Sequence, residues 1–309
     1  MYQRAYTHRF FLLFGFTLAA VLHEVTILEG ASRFAMYFRH DIPYEYPEKS
    51  DEHMITVKRI KRVCFDKSYP FFNKSFGFKL LRAGYFLLVN LIVFPFCRLT
   101  HGFRIYGKKN LKKHKKTLKG GAISISNHVF YFDFLCVLRA LRPRLVFFPA
   151  WKDNFEGPLG GMIRLSGGIP VPTDSAHAMA KFNAAMEEIL KGGKWLHFFP
   201  EGSMWFFYPD IRPLKKAVFS YAVRFDKPIL PITLSFRPRQ GITRWFTKKP
   251  FVDVHIGEPL FHDKSLSPRE AERELHARAY HVMQEMNGIH PGDPTYNTDQ
   301  NIAHYQKTM

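Results

Sequence analysis

From residue 102 onward the chain keeps switching period. Short runs rich in β-branched and aromatic residues, "FRIYG", "GAISIS", "RLVFFPA", "GGIPVP", "WLHFFP", "PILPITLSF" and "FVDVHIG", alternate with helical patterns at roughly 132–141, 158–165, 175–191, 214–225 and 268–287. Strands that alternate with helices read as an α/β fold, with a mostly parallel central sheet flanked by helices. Two helix starts carry readable signals. Thr173 or Asp174 is placed to cap the third helix, and "SPRE" at 267–270 combines a Ser cap, a first-turn Pro and a capping-box Glu270.

Residues 1–100 have a different texture, amphiphilic and broken by the polar turn-rich "DIPYEYPEKSDEH". Phe10 to Leu22 follows Arg4 and Arg9 as a secretory signal would, but His23 and Glu24 come next and no A-x-A-like cleavage site follows. Ala83 to Cys97 is apolar apart from Asn90, contains Pro95, and is flanked by Lys74, Lys79, Arg82 and Arg98. Both runs fall short of the roughly 20 residues a transmembrane helix needs. The pattern predicts an N-terminal membrane-associated helical region lying in the interface, with one shallow span as the alternative. Residues 101–287 then form the folded domain, and 288–309 a disordered tail.

A formal charge of +19, from 45 Lys and Arg against 26 Asp and Glu, directs the surface toward phosphates. The 32 Phe residues point to surface meant for lipid as well as core. The lysine-dense "GKKNLKKHKKTLKG", 107–120, offers only Leu111 and Leu118 as anchors, and reads as a solvated face or a contact for anionic lipid headgroups. Without an aromatic RNA-binding signature or a helix-turn-helix pattern, nucleic acid is not a predicted partner. Cys64, Cys97 and Cys136 sit in apolar contexts with neither disulfide nor zinc spacing, so all three read as core thiols in a reducing compartment.

"SNHVFYFDF", 126–134, sets His128 and Asp133 five positions apart in apolar surroundings. On a continuous helix such residues point about 140° away from each other. They meet only if one lies on the turn before the helix, and the layout "GAISIS", "NHVFY", "FDFLCVLRAL" supplies that turn. A histidine held by a carboxylate serves as a general base near neutral pH. A core histidine satisfied by a neighbouring acid is the competing reading, and no second His or Cys lies at metal-ligand spacing.

Further blocks follow in order. "SNHVFYFDF" resembles the N-H-x4-D block of the glycerolipid acyltransferases of the lysophosphatidic acid acyltransferase type. "FFPEGS", 198–203, is similar to their F-P-E-G-[ST] block. "PAWKDNFEGPLGGMIRLSGGIPVPTD" resembles the intervening segment, and "LKKAVFSYAVRFDKPILPITL" the fourth block; together they cover roughly 102–285. The resemblance implies acyl transfer from a co-substrate thioester, acyl-CoA or acyl carrier protein, to the hydroxyl of a lyso-lipid, typically 1-acylglycerol-3-phosphate, with no cofactor. His128 would take the hydroxyl proton and Asp133 orient the ring. Asn127, Lys152, Glu201, Gly202, Ser203, Lys215 and Lys216 match substrate-side positions, Glu201 either binding an acceptor hydroxyl or bracing its loop. The resemblance also implies placement at the cytoplasmic face of a cell membrane, peripheral or monotopic.

Two departures stand out. Thr173 and Met204 occupy positions where relatives often carry phosphate-binding arginines, which opens the acceptor to a lysophosphodiester, a glycolipid or another lyso-lipid unless Arg212, Arg164 and the lysines compensate. The same departures keep open a non-catalytic lipid-binding protein on this fold. Hydrolysis is disfavoured, since no G-x-S-x-G elbow is present. "SMWFFYPDIRP" reads as a lipid-facing lip, or alternatively as core.

Overall fold

One sheet holds seven strands in the order β1-β7-β6-β2-β5-β3-β4, in a computed structural model that describes residues 44–293 apart from Lys67, Asp174 and Phe246. The strands are β1 (Arg104–Tyr106), β2 (Ile123–Ser126), β3 (Val146–Trp151), β4 (Gly168–Val171), β5 (Trp195–Phe198), β6 (Ile229–Arg237) and β7 (Phe251–Ile256). Each corresponds to a run picked out of the sequence. Neighbours are parallel except β6 and β7. The helices are α1 (Phe76–Thr100), α2 (Lys108–Lys113), α3 (Asp133–Leu141), α4 (Lys152–Glu156), α5 (Gly160–Ser166), α6 (Ala176–Lys191), α7 (Ala217–Arg224) and α8 (Pro268–Met286).

Successive strand residues face opposite sides, so both faces of the sheet need cover. Leu135 and Leu138 of α3, Leu165 of α5 and Tyr85 and Val89 of α1 pack with Trp195, Leu230 and Ile232. Ile189 of α6, Phe219 of α7 and Leu275 and Met283 of α8 pack with Ile123, Ile125 and Leu196. Because α1 and Phe71 share these cores, packing shows no boundary at residue 100 among the described residues.

The apolar run Ala83 to Cys97 is part of a longer element than its composition marks. Helix α1 is 25 residues long and widens to π geometry over Val89–Val93, just ahead of Pro95, which has no N–H to give the helical ladder. Its inner face is docked by polar contacts. Arg82 donates to the carbonyls of Leu165 at 3.1 Å and Val146 at 2.9 Å, and Tyr85 bonds Ser166 Oγ at 2.7 Å. Asn90, the polar residue inside the run, accepts from Arg139 Nη1 of α3 at 2.8 Å. The outer face exposes Phe76, Leu80, Leu87, Leu91 and Leu99. The other apolar run, Phe10 to Leu22, lies outside the described residues.

Other expectations are corrected in detail. The cap of α6 is Ser175, whose side chain accepts from the Ala178 N–H at 3.3 Å, in place of Thr173; Asp174 lies outside the described residues. The capping box of Ser267 and Glu270 forms as read. Cys64 is exposed, whereas Cys97 and Cys136 are buried. The C-terminal segment stays packed past residue 287: Ile289 is buried and its N–H bonds the Gln284 carbonyl at 2.9 Å. Residues 294–309 of the expected tail lie outside the described residues. In the lysine-dense stretch, Leu111 and Leu118 are the buried anchors and most lysines are exposed, with Lys113 paired to Glu258.

Candidate active site

Parallel pairing of β2 with β5 fixes where the two motif loops fall. Ile125 stands opposite Phe198, so the residues just beyond the strand ends, His128 and Glu201, continue the same register. The His128 N–H donates to Glu201 Oε2 at 3.0 Å. Crevices outside the carboxyl ends of parallel strands are the usual ligand sites of open α/β sheets.

The turn from β2 into α3 brings the two sequence-predicted catalytic groups together. Asp133 is the first residue of α3, and its Oδ2 lies 2.6 Å from His128 Nδ1. The same oxygen accepts from the Val129 N–H at 3.1 Å and the Phe130 N–H at 3.4 Å, which holds the carboxylate as the turn's anchor. The Asp133 side chain is 0% exposed and that of His128 26%, so the acid sits behind and the ring reaches the surface. With Nδ1 on the carboxylate, the ring carries its hydrogen there, and Nε2 is the basic nitrogen. Phe199 stacks on the imidazole, centroids 4.1 Å apart and planes at 21°. Sequence reasoning did not single out Phe199.

Around that pair, several predicted substrate residues are structural. Asn127 is fully buried; its Nδ2 donates to the Leu234 carbonyl and its Oδ1 accepts from the Leu234 N–H, both at 2.8 Å. Its amide therefore clamps β2 to β6, which corrects the substrate-binding assignment. Glu201 and Ser203 surround Arg212, a fully buried arginine. Glu201 Oε2 accepts from Arg212 Nη2 at 2.7 Å and Oε1 from the Arg212 backbone N–H at 2.9 Å. Ser203 Oγ accepts from Arg212 Nη1 at 2.7 Å. Of the two roles considered for Glu201, this geometry is that of the brace.

The remaining predicted positions are Gly202, Lys215, Lys152 and Lys216. Gly202 has φ +84, and a Cβ there would meet Lys215 Cε at 2.6 Å, so glycine leaves space for the lysine to cross the loop. Lys215 Nζ then lies 3.1 Å from Asp51 Oδ2, an exposed pair of the kind that contributes about 0–1 kcal/mol. Lys152 opens α4 directly after β3, and Lys216 is exposed ahead of α7.

A strap from the region read as membrane-associating crosses the site. The Ser50 carbonyl accepts from Arg212 Nη1 at 2.6 Å, and the Glu52 carbonyl from Trp205 Nε1 at 2.9 Å. His53 stacks on Trp151 at the end of β3, centroids 4.5 Å apart. Tyr46 packs on Trp205 and Tyr208 and donates its hydroxyl to the Phe206 carbonyl at 2.7 Å. Trp205, Phe207 and Tyr208 are buried beneath it, so the aromatic "SMWFFYPDIRP" is mainly core and not a lip. The Trp205 N–H also bonds the His128 carbonyl at 3.0 Å, and the Phe207 N–H bonds that of Val129 at 2.8 Å. His128 is thus held at its N–H, its carbonyl, its Nδ1 and its ring face.

Residues 102–235 match the acyltransferase family model. The chain is 25% identical over 232 residues to an uncharacterized acyltransferase of Schizosaccharomyces pombe, covering 71% of this chain and 77% of that protein. It is also similar, at 19% identity and a TM-score of 0.40, to the crystal structure of the 1-acyl-sn-glycerophosphate acyltransferase PlsC from Thermotoga maritima, over 59% of this chain and 71% of that one.

Proposed function

We propose, from the premise that this chain belongs to the glycerolipid acyltransferase family, that it moves a fatty acyl group from acyl-CoA or acyl carrier protein to the hydroxyl of a lyso-lipid. The acceptor proposed first is 1-acylglycerol-3-phosphate, which would give phosphatidic acid. The observation that carries the reading is the 2.6 Å contact of His128 Nδ1 with a fully buried carboxylate while the ring remains accessible.

The chemistry follows from that geometry. His128 Nε2 takes the acceptor hydroxyl proton as the oxygen attacks the thioester carbonyl carbon. Asp133 stabilises the imidazolium that forms. When the tetrahedral intermediate collapses, the C–S bond breaks and the same proton passes to the thiolate sulfur. No acyl-enzyme forms and no cofactor takes part. The Val129 and Phe130 N–H groups already serve Asp133, so the oxyanion would draw on other donors.

Membrane attachment belongs to the same proposal. The outward leucines of α1, with Lys74, Lys79 and Arg98 beside them, suit a helix lying in the interface of an anionic bilayer. The polar docking of the inner face supports a peripheral or monotopic placement, at the cytoplasmic face where thioester donors occur.

The test is thiol release by purified full-length protein supplied with acyl thioester and a panel of lyso-lipids. Release that requires the acceptor is expected, and His128→Ala should lower it by about 10²–10⁴-fold with the melting temperature retained. Release without acceptor would indicate hydrolysis, and normal turnover in the variant would end the proposal.

A further inference from the structure

Arginine forks are the usual means of holding a phosphate ester, and the two that the sequence nominated as substitutes are engaged with protein. Arg212 binds Glu201, Ser203 and the Ser50 carbonyl. Arg164 donates to the Phe71 carbonyl at 2.9 Å and also to that of Pro70. What the site offers at its mouth is a different set of groups. Lys215 crosses Gly202 to reach Asp51, with its side chain 55% exposed. Two residues further along the strap, His53 lies flat on Trp151, next to Lys152. The side chains of Arg212 and Trp205 donate to the backbone carbonyls of Ser50 and Glu52 and fix this stretch on both sides of Asp51. The strap is therefore fixed against the loop that carries Glu201, Trp205 and Arg212 and is not a passing linker.

We propose that His53 is an acceptor-binding residue that, with Lys215, holds the phosphate ester of the lyso-lipid headgroup. This rests on the acyl-transfer reading above and adds to Lys215 of the fourth block a headgroup contact, His53, that lies outside the family's sequence blocks. Lys215 is paired with an exposed carboxylate, an arrangement that an incoming phosphate replaces readily. Stacking on Trp151 orients the His53 ring and leaves its nitrogens at the edge for hydrogen bonding. Burial lowers the proton affinity of His53, and His128 when protonated, Lys215 and Arg212 lower it further against the opposing Asp51. A phosphate bound there reverses that balance, so headgroup binding draws a proton onto His53.

The phosphate of a lyso-lipid and the phosphates of coenzyme A share this chemistry, and the experiment separates them. Full-length protein is assayed with 1-acylglycerol-3-phosphate and with 1-acylglycerol, each with acyl-CoA and with acyl-pantetheine, which lacks the nucleotide phosphates. His53→Ala is expected to reduce the preference in kcat/KM for the phosphorylated acceptor by about tenfold with either donor, and His53→Lys to restore it. Equal losses on both acceptors, or an unchanged preference, would overturn the proposal. So would a loss confined to acyl-CoA, which would assign the anion to the donor. Equilibrium binding of 1-acylglycerol-3-phosphate supplies a readout that needs no turnover. If wild-type protein fails to transfer acyl groups yet binds this lipid about tenfold more tightly than His53→Ala, the site stands and the acyl-transfer reading falls. Equal binding by the two proteins would sink the site.

Discussion

At the scale of single residues, the distinction that matters is between groups facing the opening and groups holding them. His128 and Asp133 were legible because a five-residue spacing forces a turn, and a strand and a helix flank that turn in the sequence. Glu201 was legible as a position but ambiguous in role, since its partner Arg212 sits eleven residues on in an aromatic loop with no spacing signal. Asn127 was misassigned because adjacency to His128 says nothing about direction; along β2 alternate side chains face opposite ways, and its amide reaches β6. His53 carried no signal at all, lying in a stretch whose composition reads as turn and membrane flank. The brace reading of Glu201 makes a prediction. Glu201→Gln leaves a fully buried guanidinium without its counter-charge, at a cost of about 3–5 kcal/mol. Combining it with Arg212→Met should recover a substantial part of that loss in urea unfolding. A stable Glu201→Gln protein with impaired turnover would instead assign Glu201 to substrate.

At the scale of elements, strands were easier to read than helix α1. Strands β2 to β7 are largely buried, and their short apolar runs stand out in the sequence, whereas β1 at the sheet edge is largely exposed. For α1, composition marked only the run from Ala83 to Cys97, because Lys79 and Arg82 interrupt the apolar sequence while pointing in different directions: Lys79 is exposed and Arg82 is buried against α5 and β3. A helix with apolar groups on both sides of its axis has two partners, the domain on one and, in our proposal, lipid on the other. Burying a leucine side chain is worth roughly 1.5–3 kcal/mol. Replacing Leu80, Leu87 and Leu91 by Glu should therefore weaken co-sedimentation with anionic vesicles by more than about 100-fold, with unchanged circular dichroism. Undiminished vesicle binding by that variant would place the membrane contact elsewhere on the chain.

At the scale of the whole molecule, three buried groups shape the response of stability to pH, and their signs differ. Desolvation pushes His101 down to about 4 and His197 down to about 3, the positive charge of His128 adding to the second. Folded values below the unfolded one mean that each contributes stability present above about pH 6.5 and lost as the pH falls toward the folded value. Burial pushes Asp210 the other way, up to about 8. A raised carboxyl means that stability is greatest below its unfolded value and drains as the pH rises toward 8. Each group changes stability by about 1.4 kcal/mol per pH unit inside its window. Between roughly pH 4 and 6.5 the two histidines outweigh the one aspartate, and stability from these groups rises with pH. Between pH 6.5 and 8 Asp210 acts alone among the three, and stability falls by about 2 kcal/mol. Asp210→Asn keeps a neutral polar group of the same shape and removes the titration. Urea unfolding at pH 6.5 and 8.0 should show a decline in the wild-type protein that is absent in the variant. If both proteins decline equally over that interval, Asp210 is already ionised in the folded chain, and the alkaline limb has another source.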